Sequence, residues 1–217
     1  MSLTLYAHPF SSYCQKVLIA LYESDLAFEY RMLESPGAMD ELKARWPFAR
    51  FPLLVDDGVT VVESSIVIEH LMQRHGGPVA LIPSEPAAAL EVRFLDRFFD
   101  QYVMTPMQKP VFEALKKEGA QPAQKMAEAV AELSTAYAWL ERRLQGRTWA
   151  AGELFTMADC AAAPSLFYAD WVHPIAEDFP VLRAYRARLL QRPSFARAVE
   201  EARPFRSYFP LGAPQRD

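Results

Sequence analysis

Cysteine is scarce in this sequence: Cys14 and Cys160 are the only two in 217 residues, and they lie on separate apolar helical patterns. A disulfide framework is therefore excluded as the basis of the fold. The start of the chain lacks a charged segment followed by an apolar signal core, and with the low cysteine usage this reads as a reducing, cytoplasmic setting. No apolar run reaches the roughly 18 residues needed to span a bilayer, so no membrane role is expected. Long basic runs are also missing, and the net charge is −4, which argues against nucleic acid as the main partner. Lys116-Lys117 and Arg142-Arg143 are isolated pairs and read as solvated helix faces. The four histidines, His8, His70, His75 and His173, show no metal-ligand spacing with one another or with the cysteines, so no metal is expected. No internal repeat is visible. Hydrophobic residues make up 51% of the chain, ample for the core of one large domain or two small ones.

The most informative stretch is the first. Leu3, Leu5 and Ala7 alternate with Thr4 and Tyr6, a strand pattern, and Pro9 ends it because proline has no N–H to donate. Cys14, Val17, Leu18 and Leu21 then form one stripe of a helix, placing the turn at Pro9 to Ser12. Ser11 and Ser12 are candidate caps at a helix N-terminus, where free N–H groups and the helix dipole favour an anion. Ser11-Ser12-Tyr13-Cys14 has the layout of a C-x-x-C redox turn with serine in the first position. Such a serine forms no disulfide, but it can donate a hydrogen bond to a thiolate belonging to another molecule. Taken alone, the turn fits a plain helix cap equally well. Cys14 shares the apolar stripe and reads as a small core residue rather than a resolving thiol.

Downstream, Phe28, Tyr30 and Met32 alternate with Glu29 and Arg31 as a second strand, parallel to the first across a helical crossover. Ser35 to Arg45 is at most a short polar helix ending at Trp46-Pro47. Leu53–Val55 and Val59–Val62 flank Asp57-Gly58, a hairpin signal, and the second strand runs directly into a helix from Ser64 to His75. Pro52 opens the third strand, either in a cis Phe51-Pro52 bond, with the Phe51 backbone turned toward the Ser11 turn, or as a trans proline on an edge strand. Glu63-Ser64 marks another strand-to-helix junction, suited to gripping the α-amino and α-carboxylate groups of a peptide-like ligand.

Pro9-Phe10-Ser11, Val17-Leu18, Pro47-Phe48 leading to Phe51-Pro52-x-Leu54, and Glu63-Ser64, in that order, resemble the thioredoxin-like N-terminal domain of serine-type glutathione S-transferases. The resemblance implies glutathione as co-substrate, with the Ser11 hydroxyl on its thiolate. The Phe51 backbone, followed by Pro52, would pair with the cysteinyl unit. Glu63 and Ser64 would hold the γ-glutamyl end, Arg50 the glycyl carboxylate, and Ser12 is the alternative hydroxyl. Trp46 departs from the family, where asparagine is commoner. The reaction implied is thiolate attack on a small hydrophobic electrophile. A glutathione-dependent cis-trans isomerase is a second reading, and a non-catalytic binding or dimerisation scaffold a third. The family also implies a homodimer.

Gly76 to Pro86 is dense in helix breakers and sets the expected organisation: residues 1–78 a thioredoxin-like α/β domain of βαβ-ββα order, 79–86 a linker, and 87–217 an all-helical domain with a C-terminal tail. In the helical half, Leu90, Phe94, Phe98 and Tyr102 stand four apart on a helix that Thr105-Pro106 breaks or kinks. Met126 to Leu144 is a long bundle helix. Thr156 reads as an N-cap, with Asp159 three residues on closing a capping box, a structural role and a hallmark of the family's second domain. The electrophile pocket is expected between the domains, lined by Phe10, Tyr102, Met104, Met107 and Tyr168. The tail from Arg203, with Phe205, Tyr208, Phe209 and Leu211, is too rich in proline for regular helix and should pack back on the body.

Overall fold

A computed structural model describes residues 2–116 and 118–217, so Lys117 of the expected surface pair lies outside the described residues. The first half follows the sequence pattern closely. Strand β1 (Leu3–Ala7), helix α1 (Ser12–Glu23) and strand β2 (Glu29–Met32) form the parallel crossover, with Leu5 beside Tyr30. After the short helix α2 (Ala38–Arg45), strands β3 (Leu53–Asp56) and β4 (Val59–Val62) make an antiparallel hairpin, and α3 (Ser64–Arg74) follows at once. Both turn residues of the hairpin, Asp57 (φ 46°) and Gly58 (φ 87°), have positive φ, the geometry that lets a two-residue turn match the strand twist.

The sheet order is β2-β1-β3-β4, which makes β3 an inner strand. The Phe51-Pro52 bond immediately before it is cis, so the edge-strand alternative does not hold. Alternation decides which face each residue joins. Leu3, Leu5, Ala7, Leu54 and Val61 face the large core with α1 and α3, whereas Tyr6, Leu53 and Val55 face a small cluster with Leu33 and Leu42 on the α2 side.

The second half is helical: α4 (Pro86–Phe98), a π-helical turn (Phe99–Met104), α5 (Thr105–Ala114), α6 (Pro122–Arg143), α7 (Met157–Val172), α8 (Pro180–Gln191), α9 (Pro193–Ala202) and a 3₁₀ turn (Arg203–Tyr208). The helical path is not broken at Thr105-Pro106, but its regular α geometry is interrupted just before it. Pro106 has no N–H, and in an α-helix its ring would meet the carbonyl of Tyr102, so the preceding turn widens to π geometry. Thr105 Oγ1 donates to the Asp100 carbonyl at 3.0 Å, satisfying one of the loosened acceptors.

Helix α1 is sandwiched between the sheet and helices α7 and α9, and one continuous core runs from Leu5 through Leu18 to Leu166, Tyr137 and Phe195. Polar ties cross the same seam. Glu23 at the end of α1 takes Arg192 Nε at 2.8 Å, Arg192 Nη2 at 2.6 Å and Ser194 Oγ at 2.5 Å. Fully buried Lys16 meets Asp96 at 2.6 Å, Asp100 at 2.8 Å and Ser65 Oγ at 2.9 Å. Of the expected solvated pairs, exposed Lys116 reaches Glu113 at 2.6 Å, and Arg143 does more than face water because it pairs with Glu91 of α4. The capping box at the start of α7 forms as the sequence indicates.

Candidate functional site

His8 and Pro9 shape the turn that presents Ser11. The His8 carbonyl accepts from Ser11 N at 3.0 Å, and its Nδ1 accepts from Phe10 N at 3.1 Å. From α7, Tyr168 donates its hydroxyl to the Phe10 carbonyl at 2.9 Å, while buried Gln15 bonds the Pro9 carbonyl (2.9 Å) and the Tyr168 oxygen (3.1 Å). The helical half therefore holds the turn from beneath. Ser11 is the N-cap of α1, its Oγ accepting from Cys14 N at a long 3.4 Å, and the first turn of α1 carries no acidic residue. The first N–H groups of a helix have no carbonyl one turn back, so this end is an electropositive seat without a built-in anion.

Above it opens a cleft of about 920 Å³ at the seam of the two halves. Its sheet-side wall brings together Phe10, Ser11, Ser12, Arg50, Phe51, Pro52, Glu63 and Ser64 from three separate segments. Glu63 adopts φ 69°, an uncommon conformation for a non-glycine residue, which swings the chain so that α3 starts with Ser64 at the cleft. Ser12 and Ser64 are nearly buried, whereas Glu63 and Arg50 are exposed at the rim. The helical half contributes an apolar stretch, Met107, Val111, Phe112 and Leu115, beside the polar Arg97, Asp100, Thr105 and Gln108, and Tyr168 also lines the cleft.

Two of the expected pocket residues are elsewhere. Met104 is sealed in the core, and Tyr102 is 56% exposed on the outer side of the π turn, packed on Phe98 with ring centroids 5.2 Å apart. Of the four-spaced stripe, Leu90, Phe94 and Tyr102 point outward while Phe98 is buried, and the inner face is Val92, Leu95, Phe99 and Val103. That helix has apolar residues on both sides, so spacing alone does not say which side is inside.

Other cleft residues escaped the sequence reading. His8, directly before the strand-ending Pro9, had a local signal. Tyr13, Arg97, Gln108 and Tyr208 had none. Tyr208 reaches the cleft from the tail, donating to Glu34 Oε1 at 2.6 Å and stacking on His8 with centroids 5.7 Å apart. Phe209 is buried against Trp171, so the tail does pack back on the body.

Electrostatics separate the nucleophile candidates. Burial pushes the Cys14 thiol up to about 12 against the opposing hydrogen bonds of Ser11 and His8, so this sulfur stays protonated and inert. Burial likewise pushes the Tyr13 phenol up to about 12. Neither competes for the seat at Ser11. Outside the cleft, His70 and His75, expected to share no ligand set, are brought together by Asp56.

A family profile described as the glutathione S-transferase N-terminal domain matches residues 5–79, and one described as the C-terminal domain matches residues 99–193. A probable maleylacetoacetate isomerase of Caenorhabditis elegans is 28% identical over 203 residues, covering 92% of this chain and 94% of that protein. A stringent starvation protein A homolog of Histophilus somni is 24% identical, covering 93% and 92%. Among solved structures, a glutathione S-transferase of Methylobacterium radiotolerans in complex with glutathione sulfonate is 28% identical. It superposes with a TM-score of 0.77, covering 92% of this chain and 95% of that one.

Proposed function

Because the chain belongs to the glutathione S-transferase family, we propose that it binds reduced glutathione on the sheet-side wall of the cleft and delivers its thiolate to a small hydrophobic electrophile seated on the helical wall. The observation that carries this reading is the convergence of an acid-free helix N-terminus at Ser11, the backbone beside the cis Phe51-Pro52 bond, and the Glu63-Ser64 junction in one cleft. In this reading Ser11 Oγ donates to the thiolate. The α3 N-terminus at Ser64 receives the γ-glutamyl carboxylate, Glu63 takes the ammonium, and Arg50 at the rim meets the glycyl carboxylate. Ser12, nearly buried, supports the turn.

Ser11 and the helix end need to lower the thiol pKa by ~2 units, about 2.7 kcal/mol, within reach of one charge-assisted hydrogen bond plus a helix dipole. The thiol proton leaves to solvent, the sulfur lone pair forms the new S–C bond, and the leaving group departs with its electron pair. Calorimetric titration with glutathione, followed by transfer assays on an activated aryl chloride, tests the reading. Saturable heat with activity that falls in Ser11→Ala supports it, and no heat at millimolar glutathione refutes it.

The Caenorhabditis elegans relative favours a second reaction at the same site. There the thiolate adds to a carbon–carbon double bond, rotation follows, and elimination returns the thiolate. A conjugated cis-diacid that isomerises only when glutathione is present would distinguish it from transfer. The scaffold reading predicts neither reaction. A homodimer is supported by the outward apolar residues Phe48, Ile66, Leu90, Phe94 and Tyr102, and a sedimentation mass of one subunit would contradict it. The organisation we adopt is 1–78, 79–86 and 87–217, with cytoplasmic residence.

A further inference from the structure

At the far end of the sheet from the cleft, Asp56 closes β3 just before the Asp57-Gly58 turn and is fully buried. Its Oδ2 receives His70 Nε2 at 2.8 Å, His75 Nε2 at 2.7 Å and Arg74 Nε at 3.0 Å, while its Oδ1 is buried with no hydrogen-bond partner among the described residues. One carboxylate oxygen and two imidazole nitrogens thus lie within 4.8 Å of one another, supplied by a strand end and a helix end.

We propose that Asp56, His70 and His75 form a binding site for a divalent cation of the zinc type. Two imidazole nitrogens with one carboxylate oxygen make a borderline donor set that suits zinc and its neighbours, and three protein ligands leave a fourth position for water. A tetrahedron with bonds of about 2.1 Å spaces its ligands about 3.4 Å apart, so the two histidine contacts open by roughly 0.6 Å to admit the ion. The unpartnered Oδ1 is free to share it.

Each imidazole binds as the neutral tautomer that carries its one N–H on Nδ1, so the Nε2 lone pair faces the metal. Arg74 is the opposing charge. Its side chain is 46% exposed and already reaches Asp57 Oδ2 at 3.2 Å, so it withdraws without losing an acidic partner. The ion pins the end of β3 to the end of α3. It lies along α3 about 15 Å from Ser64, so it supports the sheet half without touching the cleft.

The test titrates metal-free protein with Zn²⁺ against a chromogenic chelator in the absence of glutathione, whose thiol would itself bind zinc. One ion per chain is expected, with affinity falling about 100-fold or more in His70→Gln and in His75→Gln. His173→Gln binds as the wild type does. Co²⁺ added to the wild-type protein gives the visible absorption of a low-coordinate site, which keeps the proposal testable if His75→Gln fails to fold. Absence of saturable Zn²⁺ binding, or binding unchanged in both variants, overturns the proposal and leaves a metal-free His–Asp–His clasp. Glutathione binding is measured separately on the metal-free protein, so either reading falls without the other.

Discussion

Helices α1 and α7 both begin on a hydroxyl side chain, Ser11 and Thr156, and the two ends are finished differently. At α7 the cap is closed. Asp159 Oδ2 takes Thr156 N at 2.8 Å and Thr156 Oγ1 at 3.1 Å, while Oδ1 takes Ala150 N at 2.8 Å and Tyr185 OH at 2.6 Å, all out of contact with water. At α1 no acidic residue stands in the first turn, and the capping oxygen makes a single long contact. The same local chemistry serves stability where an internal carboxylate fills the helix end and, in the function proposed, ligand binding where that place is left to a guest.

Breaking the closed cap should have the largest effect. Asp159→Ala strands four donors, two of them backbone N–H groups, and is expected to cost about 4 kcal/mol of unfolding free energy in urea, with glutathione affinity unchanged in the folded fraction. Ser11→Ala reverses the profile. It should slow thiol transfer by up to about 100-fold, equivalent to about 2.7 kcal/mol, while stability falls by no more than about 1 kcal/mol for the lost cap. Equal loss of stability in the two variants would erase the distinction between the ends.

The other end of α1 sharpens the comparison, because it too is closed. Burial raises the Glu23 carboxyl, but the hydrogen bonds from Arg192 and Ser194 outweigh this and hold it below its ordinary value near 4.5. A lowered folded-state pKa contributes stability that is complete above the ordinary carboxyl range and is lost as pH falls through the folded value. Glu23→Gln should therefore cost about 2 kcal/mol near neutral pH and markedly less in acid, read as urea midpoints at about pH 7 and about pH 4. Smallest of all, Tyr208→Phe removes an exposed hydrogen bond to Glu34. It should change stability by less than about 0.5 kcal/mol and show instead as a modest rise in KM.

Legibility in the sequence followed the range of the interactions. The β1–Ser11–α1 turn, the Asp57-Gly58 hairpin and the Thr156–Asp159 box are decided within a few residues, and each was readable. The glutathione-side candidates Ser11, Arg50, Phe51, Pro52, Glu63 and Ser64 do share one cleft. Tyr102 and Met104 were misplaced because the helix carrying them is apolar on two sides and widens at a π turn. Tyr208 meets Glu34, and Asp56 meets His70 and His75, through the folded topology alone. For the histidines, the residue that joins them is an aspartate on a strand, which no search for histidine and cysteine spacing detects.

The shared core also bears on how the protein is made. Helix α1 ends at Glu23, but α7, which covers it and carries the tyrosine that fastens the Phe10 carbonyl, starts only at Met157. At 5 to 20 residues per second, a ribosome takes on the order of ten seconds to bridge that gap. Through that interval the sheet half has emerged with the apolar flank of α1 uncovered, a surface for chaperones to shield. The turn bearing Ser11 is among the earliest segments translated and among the last to be locked in place.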